Sequence, residues 1–151
     1  MLRTKSSTAP TKSEDRPSDT HPLPQHVNRA IEHLTRTELR IQSSIADLAE
    51  SSGPVAETAR LNEDIRREMK GFLRNVEELK LLADEQDREQ DAKLILSKVA
   101  RHEEHYRQLQ TSLRKAALSA KKNTDAAAQK EREELLGGNA ERRAERMRQM
   151  Q

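Results

Sequence analysis

The chain has 151 residues, 36% charged, 32% hydrophobic and 1% aromatic, with Phe72 and Tyr106 as the only aromatics. This excludes an ordinary thick-cored globule and leaves Leu, Ile, Val, Met and Ala among Glu, Lys, Arg and Gln, the mixture of long amphipathic helices that share a narrow apolar seam. A net charge of +2 gives little long-range pull on nucleic acid, and the absence of cysteine excludes disulfides, thiol chemistry and Cys-based zinc sites.

Residues 1–24 are rich in Ser, Thr and charge, and Pro10, Pro17, Pro22 and Pro24 deny them regular structure. Nothing there repays the cost of ordering, so a disordered tail is predicted. The N-terminus lacks the apolar core of a signal peptide. No apolar run approaches the roughly 18 residues that span a bilayer.

A first helix is predicted over about 25–51. Val27, Ile31, Leu34, Ile41, Ile45 and Leu48 follow a period near 3.5, with Glu38 in the skipped seam position and Leu39 beside it. It should stop at "SSGP", where Gly53 can take a left-handed cap and Pro54 cannot continue the ladder. A second helix, about 55–85, carries Leu61, Ile65, Met69 or Glu68, Phe72, Val76, Leu79 and Ala83, widened by Leu73 and Leu82. Gly71 inside it costs about 1 kcal/mol relative to alanine. A third helix, about 90–136, has the cleanest pattern: Ile95, Val99, His102, Tyr106, Leu109, Leu113, Ala116 and Ala120 step alternately by 4 and 3. Gly137-Gly138 should end it, leaving 137–151 as a joint and the start of a weak further helix.

The link between the second and third helices is set by phase. The second seam (65, 72, 79) extrapolates to 86 and 93, whereas the third uses 95, 102 and 109. A two-residue jump rotates the seam by roughly 200° on an unbroken helix. A reversal within "DEQDREQD" removes the conflict. Asp84, Asp87 and Asp91 can each cap a helix start, Asp87 with Gln90 as a capping box, or Asp91 for a helix beginning at Ala92. The expected fold is all-α: an elongated antiparallel helical hairpin or a small three-helix bundle behind a disordered tail.

Motifs for chemistry are sparse. In "HEEHY" the histidines, His102 and His105, are three apart rather than the four of the metalloprotease motif, and no third ligand stands out. His102 falls on the seam, which reads as a histidine at a helix interface. "LLGGNAERR" lacks the phosphate-loop frame. Adjacent pairs such as Glu77-Glu78 diverge on a helix, and a thin helical assembly offers no pocket to shift their pKa. No catalytic, cofactor or metal residues are expected, and no enzyme. Between Lys98 and Lys122 basic residues prevail, and Arg107, Arg114 and Lys121, seven apart, form a stripe. Such a stripe is a solvated face or a surface for an acidic partner; nucleic acid is not expected.

Six pieces in order carry a resemblance: "SGP" at Ser52–Pro54, "LN" at Leu61-Asn62, "EELKLLADEQDRE" at Glu77–Glu89, "LILSKVARH" at Leu94–His102, "LRKAAL" at Leu113–Leu118 and "EELLGG" at Glu133–Gly138. Together they resemble the Sec-twenty family, endoplasmic reticulum Qb-SNAREs of retrograde Golgi-to-ER transport. The resemblance implies an N-terminal cytosolic region that binds a subunit of a Dsl/NRZ-type tethering complex, at the cytosolic face of the endoplasmic reticulum membrane. Family members continue into a SNARE motif, which meets other SNAREs, and a membrane anchor. This chain stops at Gln151, which reads as a fragment or a truncated product. The candidate partner-binding residues are Glu85, Gln86, Asp87 and Arg88 at the corner, with Arg107, Arg114 and Lys115 on the basic face. The competing expectation is a homo-oligomeric coiled-coil scaffold or adaptor unrelated to trafficking.

Overall fold

The structure, a computed structural model, describes residues 22–150. It contains three helices, α1 (Gln25–Glu50), α2 (Val55–Asp84) and α3 (Glu89–Met150). No strand occurs among the described residues. Residues 1–21, most of the expected disordered tail, lie outside them.

Proline opens the first two helices. The Pro24 carbonyl accepts the amides of Val27 and Asn28, both at 3.1 Å, and the Pro54 carbonyl accepts those of Glu57 and Thr58 at 3.0 and 3.1 Å. A helix start needs no amide from its leading residues, so proline's missing N–H costs nothing there.

Each helix packs against both others, so the hairpin is completed by α1 into a three-helix bundle. Cross-helix ion pairs mark the antiparallel sequence of neighbours: Arg40 with Glu68 between α1 and α2 (3.4 Å), and Lys80 with Glu103 between α2 and α3 (2.9 Å). The seam residues fill the interior. Leu34, Ile41 and Leu48 of α1, Ile65, Phe72 and Leu79 of α2, and Ile95 and Val99 of α3 are buried. Each such side chain contributes about 1.5–3 kcal/mol of hydrophobic stabilisation. Met69, not Glu68, takes the ambiguous seam position. Tyr106, Leu61 and Ile31 sit half-buried at the edge of this core.

Three local expectations are corrected. Gly53 is not left-handed, since no glycine among the described residues has positive φ. Ser51 instead leaves α1 in an extended conformation (φ −67°, ψ 134°). The carbonyls at this turn are met by α3: Asn123 Nδ2 donates to Ala49 and Ser51 (3.0 and 3.3 Å), and Thr124 Oγ1 to Gly53 (3.2 Å). Helix-end carbonyls satisfied from a neighbouring helix do not need a glycine motif. Secondly, α3 begins at Glu89, so Asp91 lies buried in its first turn rather than capping a start at Ala92. A carboxylate in the first turn is favoured by the positive end of the helix dipole.

The third correction concerns Gly137-Gly138, which α3 passes through without a break. A glycine costs about 1 kcal/mol in a helix interior. Around the pair stand Ala, Glu, Arg, Lys, Gln and Leu, all strong helix formers, and extending a helix that the bundle has already nucleated is cheap. Residues 125–150, almost all exposed, project as a single helix of about 39 Å at 1.5 Å per residue. Among the described residues no helix is long and apolar enough to cross a membrane.

A Cβ added at Gly71 would meet nothing within 4 Å. The glycine therefore serves no close backbone approach. Gly71→Ala is expected to stabilise the bundle by about 0.5–1 kcal/mol, read as a rise in the urea midpoint at unchanged slope.

Candidate functional site

Two features stand out: a polar cluster inside the bundle and the exposed corner between α2 and α3. The cluster begins from α1's heptad phase, which turns Glu38 inward between Leu34 and Ile41. On α3 the same phase turns His102 inward. His105, three residues on, occupies the same side of the helix. The register of α1 against α3 brings all three together. Glu38 Oε1 lies 2.7 Å from His105 Nδ1 and 3.7 Å from His102 Nδ1. Their ligand atoms fall within 4.8 Å of one another.

The first contact is a hydrogen bond; the second is too long for one. His102 Nδ1 consequently has no hydrogen-bond partner although its side chain is only 7% exposed. From α2, Phe72 closes the cluster. Its ring meets that of His102 edge-on at 5.9 Å and stacks on Tyr106 at 6.3 Å. Burial pushes the His102 pKa below the ordinary histidine value, against the attraction of the Glu38 carboxylate; His105 and Arg101 push it the same way as burial. His102 is thus a neutral imidazole at neutral pH. His105 is 31% exposed and borders an open groove of about 430 Å³ between α1 and α3, lined also by Gln42, Ile45, Ala46 and Ala49.

The heptad patterns put Glu38 and His102 on their seams but do not pair them. Their separation of more than sixty residues carries no local signal. The one available hint is a charged residue in an otherwise apolar heptad.

The corner holds Glu85, Gln86, Asp87 and Arg88. Gln86 is half-buried and donates through Nε2 to the Leu82 carbonyl (2.9 Å), tying the turn to the end of α2. Glu85, Asp87 and Arg88 are exposed, and the Arg88 guanidinium donates to Gln90 Oε1 at 3.2 Å. Leu81, Leu94 and Leu96, on the flanking turns, are 45–63% exposed.

The other candidate residues do not join this corner. Arg107, Arg114 and Lys115 are exposed along α3, the first about 28 Å and the next about 39 Å beyond Arg88 at helical rise. Arg107 is held by Glu104 (2.7 Å). Arg114 borders a groove with Arg66, Met69 and Tyr106, on the α2 side, whereas Lys115 borders the groove toward α1. The seven residues thus form an end cluster and two separated flanks, not one patch.

No family model matches the chain, and no solved structure matches it. The human vesicle transport protein SEC20 is 30% identical over 117 residues, covering 78% of this chain and 50% of that protein. The chain therefore spans about half the length of the curated relative it matches.

Proposed function

The chain belongs to the Sec-twenty family, and on that premise we propose that it is the partner-binding helical region of a SNARE-class protein of vesicle transport at the endoplasmic reticulum. It acts by binding, not catalysis, on the cytosolic side of that membrane. Its partner in this reading is a subunit of a Dsl/NRZ-type tethering complex, in retrograde transport from the Golgi. SNARE partners belong to the parts of such a protein beyond this bundle.

The observation that carries the reading is the corner. A bundle with a closed interior offers partners its ends and grooves. Here one end combines the exposed charges of Glu85, Asp87 and Arg88 with partly exposed leucines, and these charges and Leu81 fall within the "EELKLLADEQDRE" stretch that contributes to the family resemblance. Apolar anchors rimmed by charge suit a helical partner surface, the charges setting specificity and encounter rate.

Reversing the charges in a triple variant, Glu85→Lys, Asp87→Lys and Arg88→Glu, is expected to weaken binding to a purified tether subunit by about tenfold or more, with helicity unchanged. Titration calorimetry with circular dichroism checks it. Unaltered affinity would move the contact elsewhere on the bundle, and a wild-type chain that binds no tether subunit would sink the tether reading.

A second reading, a self-associating coiled-coil scaffold, draws on the projecting part of α3. There Leu135, Leu136 and Met147 are 64–70% exposed. Sedimentation equilibrium separates the two, since a stable dimer lost on replacing Leu135 and Leu136 by Glu favours the scaffold.

A further inference from the structure

The cluster of Glu38, His102 and His105 has no role in partner binding by the corner, and its chemistry is unusual for its position. Position 38 is one that a leucine would fill. A carboxylate placed there loses its hydration and needs compensation by partners of opposite charge or by a metal. What faces it is two imidazole nitrogens, one of them without any hydrogen-bond partner. We propose that Glu38, His102 and His105 bind a divalent first-row transition metal, zinc foremost, and thereby clamp α1 onto α3.

Donor type comes first. Two imidazoles and one carboxylate are a standard three-residue ligand set for zinc, leaving the fourth position to water or another ligand. Magnesium and calcium prefer all-oxygen surroundings, so imidazole selects against them.

Geometry comes second. With zinc–ligand bonds of about 2.0–2.1 Å, the donors of a tetrahedral site stand about 3.3 Å apart. The observed separations from Glu38 Oε1, 2.7 Å and 3.7 Å, bracket that value. Seating an ion at the carboxylate therefore requires shifts of about half an ångström in these two separations. With all three ligand atoms within 4.8 Å of one another, the remaining adjustment falls to χ rotation of Glu38 and the partly exposed His105.

Preorganisation and access come third. His102 is held by Phe72 on one side, and its buried Nδ1 is turned toward the Glu38 oxygen. The ion would join two elements more than sixty residues apart in sequence. His105 opens onto the groove toward solvent, which supplies both an entry path and room for the fourth ligand. Binding that favours the docked arrangement of α1 stabilises it by mass action.

The test uses the full chain, stripped with a chelator and then titrated with zinc chloride by calorimetry and with cobalt(II) by visible absorption. One ion per chain, a raised melting temperature, and the intense bands of a four- or five-coordinate cobalt site are expected. Glu38→Gln and His105→Asn should each weaken zinc binding by more than about tenfold, whereas His33→Asn, an exposed histidine of α1, should not change it. Because His105 is partly exposed, its variant keeps the bundle even if the Glu38 variant does not, and circular dichroism verifies this. Absence of saturable uptake overturns the proposal. So does uptake that survives His105→Asn, or a pale six-coordinate cobalt spectrum, either of which would assign the ion to surface groups.

Discussion

Replacing Phe72 by alanine is expected to destabilise the bundle by about 3–5 kcal/mol, the range for a buried phenylalanine whose removal leaves a cavity. Phe72 is 0% exposed and is the largest fully buried side chain among the described residues. It also touches two rings of α3, those of His102 and Tyr106. Aromatic pairs are worth about 0.5–1.5 kcal/mol beyond their buried area, which places this residue toward the upper end. The collapse that relieves such cavities elsewhere is hindered here, because the neighbouring layer is polar and Glu38 gains nothing by moving into an apolar void. Total stability for a domain of this kind is about 5–15 kcal/mol, so the loss is a large fraction of the whole. Urea denaturation followed by circular dichroism should show a lower midpoint at similar slope, and the melting temperature should fall by about 10–20 °C. Phe72→Leu, which keeps most of the volume, should cost less than about half as much. Equal losses in the two variants would contradict a packing role for the ring.

The parts of this fold that a single helix decides were legible in its sequence. The steps of four and three on α3 identify the inward residues from Ile95 to Ala120, since 3.6 residues per turn leave little freedom once one side is buried. Of the eight seam residues, Tyr106 alone is half-buried rather than buried. The two-residue phase jump likewise located the corner between Asp84 and Asp91, because a seam rotated by half a turn cannot serve one continuous interface. What depends on two helices at once was not legible. Periodicity tells that Glu38 points inward but not which level of α3 it meets, so the pairing with His102 and His105 emerged only from the assembled bundle. The same holds at Gly53. Its sequence context reads as a glycine cap, yet Asn123 and Thr124 satisfy the turn from over seventy residues away. Gly137-Gly138 failed for an opposite reason. A propensity of about 1 kcal/mol per glycine is a weak prior, and strong helix formers on both sides outweighed it.

The second large effect concerns the polar layer itself. In a metal-free preparation, the double variant Glu38→Leu, His102→Leu is expected to be more stable than the parent by about 1–4 kcal/mol, as when buried charged groups give way to apolar residues of similar volume. Leucine restores the apolar heptad on α1 at 38 and on α3 at 102. His105 loses its carboxylate partner but is 31% exposed and can be hydrated. The gain should also depend on pH. His102 faces Glu38 from α1, His105 and Arg101 on its own helix, and the Phe72 ring from α2. Its folded-state pKa lies below the ordinary value of about 6.5. The unfolded chain therefore takes up that proton first. The stability that neutral His102 contributes is present above about pH 6.5 and is lost as pH falls below it toward the folded value. The double variant lacks this loss, so its advantage over the parent should widen on acidification from pH 7 to 5. Denaturant titrations of both chains with chelator at the two pH values check this. A double variant less stable than the parent at both would mean that the Glu38–His105 hydrogen bond contributes more than its desolvation costs. Zinc reverses the ranking if the three residues hold it: the parent alone gains stability, and the polar layer becomes a feature that the metal-free bundle keeps at a cost for the sake of the bound state.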